Sequence, residues 1–556
     1  MKNSMYEYYE VKPVSGIADM MEQALKEAPL EIAYSYKVLD EIRSLTYEAF
    51  INRVSSLGAF LTEKGFKKSA IACVGKNSIG WITAYFTALR SEGYFVPIDK
   101  ELPENDIIHL LNDSESEVIF CDEKFCSLIN ERKSELKFAK IFICLDGAES
   151  DDMFISLSDA LTLGSSLDKT EYLSSKSDPD DMKLLVYTSG TTGMSKGVML
   201  SERNIVSCVY YGLHVSTVYT KGLSVLPYNH TYEAVADLLV SFHHHSMLCI
   251  NEALPAILKN LRLYKPDYIY IVPAIAEMFH SRIMKDLALK GMTDTFYGLV
   301  LKSKELLRNG IDKRKEIFSF LHDIFGGKLI KIVCGGAPIR PEVGEFFENI
   351  GITLVNGYGI TECSPLVSAN HDKYNDVRTA GIKLPCLEWK IDNPNEEGIG
   401  EICVKGPTVM LGYYKSPELT AEVIRDGWFY TGDYGRITND DKLIISGRKK
   451  NIIVLDNGKN VYPEEIESYI QNLDYVTEVI VSGIKDENGI EKALSAEVFL
   501  SEQKTTAEVL KEIKNVCKEL PIYKQISKVT IRDKEFEKTA SNKIKRFIGD
   551  KIKKKN

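Results

Sequence analysis

No stretch of the chain approaches the roughly 18 to 20 consecutive apolar residues that cross a bilayer. The opening residues, Met1 to Glu10, lack the apolar centre of a secretory signal. These absences predict a cytoplasmic protein, with contact to the inner face of a membrane as a further option. Positive charge is not in excess either. The chain has 69 Lys+Arg against 79 Asp+Glu and a net charge of -10, which argues against a general nucleic-acid binder. It also lacks any CxxC pair. Its 11 cysteines are scattered from Cys73 to Cys517. Cys121 and Cys126 come closest, and His243, His244 and His245 lie far from them in sequence. That spacing does not fit a zinc site, and the thiols are expected to be reduced, small and buried. Internal repeats and low-complexity tracts are missing.

What is present reads as a globular protein of more than one domain. A chain of 556 residues is too long for one ordinary core. Its 44% hydrophobic and 27% charged residues suit a folded, soluble chain. Thr46 is placed as an N-cap, and Phe50, Val54, Leu57, Phe60 and Leu61 then recur at helical spacing until Gly65. Short apolar runs at Ala70–Val74, Tyr94–Ile98 and Val118–Cys121 read as strands, with a helix over 80–89 between the first two. Strands separated by helices imply parallel sheets covered on both faces. Near residue 445 the pattern changes. Short strands (443–445, 452–455, 476–481, 493–500) alternate with helices at about 463–471 and 505–520. The expectation is a large α/β domain over 1–447, with parallel-rich sheets layered by helices, and a small α+β domain over 448–556. The basic tail from Lys543 reads first as a solvated terminus; a membrane surface or an anionic cofactor is the alternative.

The most informative segment runs from Leu184 to Val198. An apolar strand enters a loop made of Thr188, Ser189, Gly190, Thr191, Thr192 and Gly193, followed by Lys196. Such a loop offers backbone N–H groups, hydroxyls and one ammonium to phosphate oxygens. It is not a Walker A loop, because Ser195 stands where that pattern needs glycine.

This loop resembles the phosphate-binding signature of the acyl-adenylate-forming superfamily, and the remaining family motifs follow in order. Gly335-Gly336-Ala337-Pro338 is similar to the adenine-contacting turn. Gly357-Tyr358-Gly359-Ile360-Thr361-Glu362 carries the YGxTE motif, and Thr431-Gly432-Asp433 the TGD motif. Gly447-Arg448-Lys449-Lys450 matches the hinge motif, and Lys538 to Ile544 the C-terminal lysine motif. The sequence is most similar to long-chain fatty acyl-CoA synthetases. The family pattern departs at Asn542, where glycine usually precedes the lysine, and at Glu537, where proline often opens the motif.

The resemblance implies ATP, Mg²⁺ and coenzyme A as reactants or cofactors, and a role for each motif. Tyr358 can stack on adenine and Thr361 offers a hydroxyl to phosphate. Glu362 is a hard oxygen ligand for Mg²⁺. Asp433 can accept bonds from both ribose hydroxyls, with Arg448 as a second contact. Lys543 would offset repulsion between a carboxylate and the α-phosphate, making Lys543, Glu362 and Thr188 the expected catalytic set. Lys450 is the implied hinge, and Gly458 with Lys459 the implied thiol tunnel. Tyr228, His230 and Tyr232 resemble the acid-pocket motif, although His230 also fits an ordinary core histidine. Val272, ending an apolar strand, and Gly336 are further candidate walls.

The expected reaction is activation of a medium- to long-chain fatty acid as acyl-AMP, with pyrophosphate release, then transfer to coenzyme A. An acyl-carrier protein is the alternative acceptor, because both carry phosphopantetheine. An amino-acid-activating enzyme would need an acidic partner for the substrate ammonium, and neither Glu233 nor Asp237 clearly fits that role. A catalytically dead scaffold is opposed by the joint presence of Lys196, Glu362, Asp433, Arg448 and Lys543. Oligomeric state is left open.

Overall fold

The computed structural model describes residues 5–39, 41–147, 150, 153–189, 195–456, 459–487, 489–538, 544 and 546. The chain forms two compact units. The first comprises Met1–Glu388, Val404–Phe429 and Asp440–Lys442; the second comprises Trp389–Cys403, Tyr430–Asn439 and Leu443–Asn556.

In the first unit, Thr46 caps the helix Tyr47–Glu63, its hydroxyl accepting from the Ala49 N–H at 3.1 Å. Phe50, Val54, Leu57, Phe60 and Leu61 face inward, as their spacing predicts. An eight-stranded sheet follows, in the order Gly412–Tyr413, Ser195–Ser201, Met182–Ser189, Tyr94–Ile98, Ala70–Val74, Val118–Cys121, Ile141–Cys144, Phe154–Ser156. The Ala70–Val74 and Val118–Cys121 strands are buried along their whole length, which explains their unbroken apolar runs.

A second, nine-stranded sheet is ordered Ile382–Lys383, Leu366–Ala369, Thr353–Gly359, Lys331–Cys334, Tyr268–Ile271, Lys221–Ser224, Met247–Ile250, Ile32–Val38, Glu41–Thr46. Its middle is parallel, from Ile32–Val38 to Thr353–Gly359. Its edges depart from the parallel expectation: Glu41–Thr46, Leu366–Ala369 and Ile382–Lys383 each pair antiparallel with their neighbour. The loop between Ile32–Val38 and Glu41–Thr46 is too short for a crossover, so that edge must be a hairpin.

The helix Ile79–Arg90 is enclosed on all sides, with every residue from Gly80 to Arg90 buried. Trp81 spans from Phe95 in the first sheet (ring centroids 5.0 Å apart) to Tyr228 (5.2 Å), which follows a strand of the second. Phe86 meets Phe50 at 5.2 Å and Phe242 at 4.7 Å. Each such ring contributes about 1.5–3 kcal/mol by leaving water. This aromatic layer fixes the second sheet's strand ends, where the candidate site lies.

The second unit contains a three-stranded sheet of Val476–Lys485, Glu491–Leu500 and Ile526–Arg532. Helices Pro463–Ile470 and Thr506–Val516 pack on it through Ile466, Ile470, Val509 and Ile513. The latter helix ends earlier than the expected 520, and Thr505 is its capping-box residue. Leu443–Arg448 extends the expected 443–445 strand and pairs antiparallel with residues 433–437. Among the described residues no helix is long and apolar enough to cross a membrane.

Helix Leu157–Ser165 approaches Tyr47–Glu63 so closely that a Cβ on Gly164 would lie 1.9 Å from the Ser56 carbonyl oxygen. Backbone must move to accept any side chain there. Gly164→Ala is expected to lower stability by about 1–3 kcal/mol. Urea melts check this through a lowered midpoint at unchanged slope; an unchanged midpoint would refute the contact.

Candidate active site

The strand Met182–Ser189 is anchored by the Tyr187 hydroxyl, which donates to Asp113 at 2.6 Å. It turns back antiparallel as Ser195–Ser201, with Thr188 opposite Lys196 and Ser189 opposite Ser195. The Thr188 hydroxyl donates to the Lys196 carbonyl at 3.5 Å. Gly190, Thr191, Thr192 and Gly193 lie outside the described residues, as does the side chain of Ser189.

Next to this hairpin runs Gly412–Tyr413, with Tyr413 opposite Val198. The Lys196 ammonium sits 5.2 Å from the Tyr413 ring centroid, a cation–π distance. The Tyr413 hydroxyl donates to Glu362 Oε1 at 2.9 Å. Burial, reinforced by the Glu362 charge, pushes the Tyr413 phenol well above its ordinary value, so it remains a donor. Glu362 occupies the single turn Thr361–Cys363. The Met410 N–H donates to the Glu362 carbonyl at 2.8 Å, and the Ser364 hydroxyl to the Thr408 carbonyl at 2.8 Å. Lys196 and Glu362, far apart in sequence, are thus drawn together through Tyr413, and Thr188 joins them as the hairpin partner of Lys196. Tyr413 is absent from the sequence expectations. Its only trace there is the Gly412-Tyr413-Tyr414 run, which one sequence gives no reason to single out.

The glycine turns lie at the carboxyl ends of adjacent parallel strands, where open α/β sheets receive ligands. Gly335 and Gly336 follow Lys331–Cys334; Gly357, Tyr358 and Gly359 end Thr353–Gly359. Gly336 has φ +87, which a side chain would strain, and its neighbours Ala337 and Pro338 are exposed. A Cβ on Gly335 would lie 3.3 Å from the Tyr232 ring and 3.6 Å from the Gly357 carbonyl, so the two turns and Tyr232 form one floor. Tyr232 is pinned there by donating to the Val333 carbonyl at 3.1 Å. Tyr358 and Thr361 are half-buried.

An apolar cavity opens from this floor. Its walls include Cys208, Gly212, Tyr232, Ala236, Val240, Tyr270 and Leu366, and its floor Gly335, Gly336, Gly357, Tyr358 and Gly359. Tyr232 and Gly336 are the expected acyl-pocket residues that line it. Val272 lies near, its Cγ1 3.8 Å from where a Gly336 Cβ would be. Tyr228 does not line it; that side chain is buried against Trp81, its hydroxyl 3.1 Å from that of Ser224. His230 is half-buried beside it and is not a wall residue. Asn77, also missed by the sequence, holds this turn: its amide donates to the Leu226 carbonyl at 2.7 Å and accepts from the Tyr228 N–H at 3.2 Å.

In the second unit, Asp433 and Arg448 are opposite partners on paired strands, with Arg448 Nε 3.2 Å from Asp433 Oδ1. Asp433 is buried and Arg448 largely exposed. The Thr431 hydroxyl accepts from the Asp433 N–H at 3.1 Å and donates to the Ile402 carbonyl at 2.8 Å, fixing the turn. Glu401 accepts from the Gly432 N–H at 3.2 Å and pairs with Lys449 at 2.5 Å. Lys450 is exposed on the turn Lys449–Asn451. Lys459 is exposed, its carbonyl accepting from the Leu455 N–H at 3.0 Å. Gly458 and Lys543 lie outside the described residues.

Behind the cavity wall, Glu233 and Asp237 are both fully buried. Ser224 donates to Glu233 at 2.5 Å, and Ser241 to Asp237 at 2.9 Å. Burial, then the charge of Asp237, pushes the Glu233 carboxyl well above its ordinary value. Burial raises Asp237 to about 7, against the bond it accepts from Ser241. Neither carboxylate faces the cavity as a partner for a substrate ammonium.

Comparison with known proteins places these features in context. A family model described as "AMP-binding enzyme" matches residues 21–414, and one described as "AMP-binding enzyme C-terminal domain" matches residues 450–548. "Fatty acyl-CoA synthetase B" of Dictyostelium discoideum is 27% identical over 515 residues, covering 86% of this chain and 76% of that protein. "Long-chain-fatty-acid--CoA ligase 5" of Rattus norvegicus is 29% identical over 474 residues, covering 79% and 69%. Among solved structures, ATP-bound MatB from Rhodopseudomonas palustris superposes with a TM-score of 0.77 at 22% identity, covering 97% of this chain and 99% of that one.

The buried carboxyl pair generates a pH prediction. A raised folded-state value means the pair's stability is fully present below the ordinary carboxylate value and is lost as pH rises through about 7. Asp237→Asn removes the ionisation and keeps a hydrogen-bonding group. Thermal melts from pH 4 to pH 8 should show the wild type losing ground to the variant as pH rises, by about 1.4 kcal/mol per unit of raised pKa. A difference that stays flat across that range would sink the assignment.

Proposed function

Since the chain belongs to the AMP-binding enzyme family, as the match over residues 21–414 shows, we propose that it activates a fatty acid as its acyl-adenylate and passes the acyl group to coenzyme A. The observation that carries this reading is the apolar cavity whose floor is the pair of glycine turns. An alkyl chain in that cavity puts its carboxylate at Gly335–Gly336 and Gly357–Gly359. The family pattern assigns those turns to the nucleotide. The relatives named for long-chain fatty acids and coenzyme A support the same substrates.

In the first step a carboxylate oxygen attacks the α-phosphorus of ATP; the acyl–phosphate bond forms and pyrophosphate departs. Thr188 and Lys196 hold the outer phosphates. Glu362 suits Mg²⁺, being a half-buried hard oxygen donor beside the phosphate hairpin, and phosphates commonly supply the remaining ligands. When bound, the ion neutralises phosphate charge. Tyr413 keeps the Glu362 carboxylate aimed. Asp433 accepts from the ribose hydroxyls, with Arg448 beside it. Lys543 lies between the two anions and lowers their repulsion.

In the second step the small C-terminal domain, residues 448–556, turns about Lys450. Lys543 leaves and the Gly458–Lys459 loop lines the path of the thiol. The thiol sulfur attacks the carbonyl carbon, the thioester forms and AMP departs. Closure keeps water from the adenylate.

A screen of fatty acids of increasing length, read by pyrophosphate release, tests the substrate class. Release without added acid, or with amino acids alone, would refute it. Lys543→Ala is expected to slow adenylate formation roughly a hundred- to a thousandfold. It should largely spare thioester formation from preformed acyl-AMP. Equal loss of both steps would overturn the division of labour. Tyr413→Phe removes one donor to a charged group, worth about 1.5–3 kcal/mol, so adenylation should fall about ten- to a hundredfold and recover in part at high Mg²⁺. Unchanged kinetics would leave Tyr413 a packing residue.

A further inference from the structure

On the side of the eight-stranded sheet away from the hairpin, one strand in from the edge, three thiols converge. Cys121 ends Val118–Cys121 and Cys144 ends Ile141–Cys144; the strands are parallel and the two residues are opposite each other, so their side chains share a face. Cys126 rides the first turn of helix Glu123–Glu131, with its sulfur 3.4 Å from that of Cys121. Cys121 and Cys144 are buried and Cys126 is partly open. Cys126 is thus within hydrogen-bond distance of one buried thiol, beside a strand that carries a second, and is itself partly exposed.

The hydrogen bonds set an order of reactivity. The contact with Cys121 holds the Cys126 thiol below its ordinary value, against burial and nearby Asp146 and Asp122. The same bond and burial push Cys121 far up. Burial takes Cys144 up to about 12. Reactive thiols combine thiolate character, access and a resolving partner. No other role in the reaction uses these residues.

We propose that this cluster is a peroxide-reactive modification site, in which Cys126 reacts first and Cys121 resolves it into a Cys121–Cys126 disulfide. The Cys126 thiolate sulfur attacks one oxygen of hydrogen peroxide. The O–O bond breaks, a sulfenic acid forms, and hydroxide leaves to be protonated to water. Cys121 sulfur then attacks Cys126 sulfur; the S–S bond forms, the S–O bond breaks, and the Cys121 proton leaves with that oxygen as water. Two thiols lose two electrons in all and one peroxide becomes two waters. The sulfurs need to close from 3.4 Å to about 2.05 Å. Rotation about the Cys126 side chain on its short helix supplies that approach.

The site adjoins the acid-pocket turn. Asp122, between the two cysteines, accepts from the Lys76 N–H at 2.9 Å, and Lys76 pairs with Asp146 at 2.8 Å. The next residue is Asn77, which brackets Leu226 and Tyr228.

The test treats the reduced full-length protein with hydrogen peroxide, blocks remaining thiols, and maps peptides by mass spectrometry with and without dimedone, which traps sulfenic acids. The wild type should yield a linked Cys121–Cys126 pair. Cys121→Ser should instead accumulate dimedone-labelled Cys126, and Cys126→Ser should lose both products. Cys121→Ala serves the same purpose if the serine disturbs the buried site. Cys126 unlabelled and unlinked in the wild type overturns the proposal. So does labelling that appears first on Cys121, or linkage of Cys126 to Cys144 in its place.

Discussion

The segment from Thr408 to Tyr414 stitches two sheets that otherwise have separate hydrogen-bond ladders. On one side it accepts from Ser364 and donates to Glu362. On the other it donates to Gly197 and Met199 of the phosphate hairpin. Backbone bonds of this kind are hard to leave unmade once buried, because each orphan costs about 1–3 kcal/mol. The distance between Lys196 and Glu362 is therefore set by strand geometry and not by the reach of two flexible side chains. Tyr413 fills the space between them, offering its ring face to one and its hydroxyl to the other.

This arrangement answers the central difficulty of the proposed chemistry, the approach of two anions. A chain with net charge of -10 repels both a fatty carboxylate and a triphosphate at long range. Attraction must come from a few local groups held at short range. Lys196 is partly buried beside a ring and Arg448 is aligned by Asp433. The apolar cavity adds the binding free energy of a hydrocarbon tail, which is indifferent to charge. Tail burial can thus bring the carboxylate to a place that electrostatics alone would oppose.

Much of this was legible in the sequence, for a physical reason. The helix after Thr46, the strands at Ala70 and Val118, and each glycine or TGD turn are contiguous, and their residue types answer local needs such as a cap, a covered sheet or a close backbone approach. The cavity was not legible. Its walls come from residues 208–240, 270 and 333–369, which only packing assembles. The same holds for Tyr413 and Asn77, whose partners are distant. Tyr228 shows the limit of a motif: it stands in an acid-pocket pattern, yet packing turns it toward Trp81. Cys121 and Cys126 were near neighbours in sequence, but Cys144 joins them only through the strand register.

The wall helix has a shape of its own. Between the turns Thr231–Glu233 and Val240–His243 it widens to a π-helix over Ala234–Leu239. Residues four apart on an α-helix creep steadily round its axis, since a turn takes 3.6 residues. The wider π turn takes that creep back. Tyr232, Ala236 and Val240 therefore stay in one file facing the cavity, while Glu233, Asp237 and Ser241 stay in another facing the core. Two unlike ranks march side by side without spiralling into each other, so no acid group of this helix rotates into the oily side.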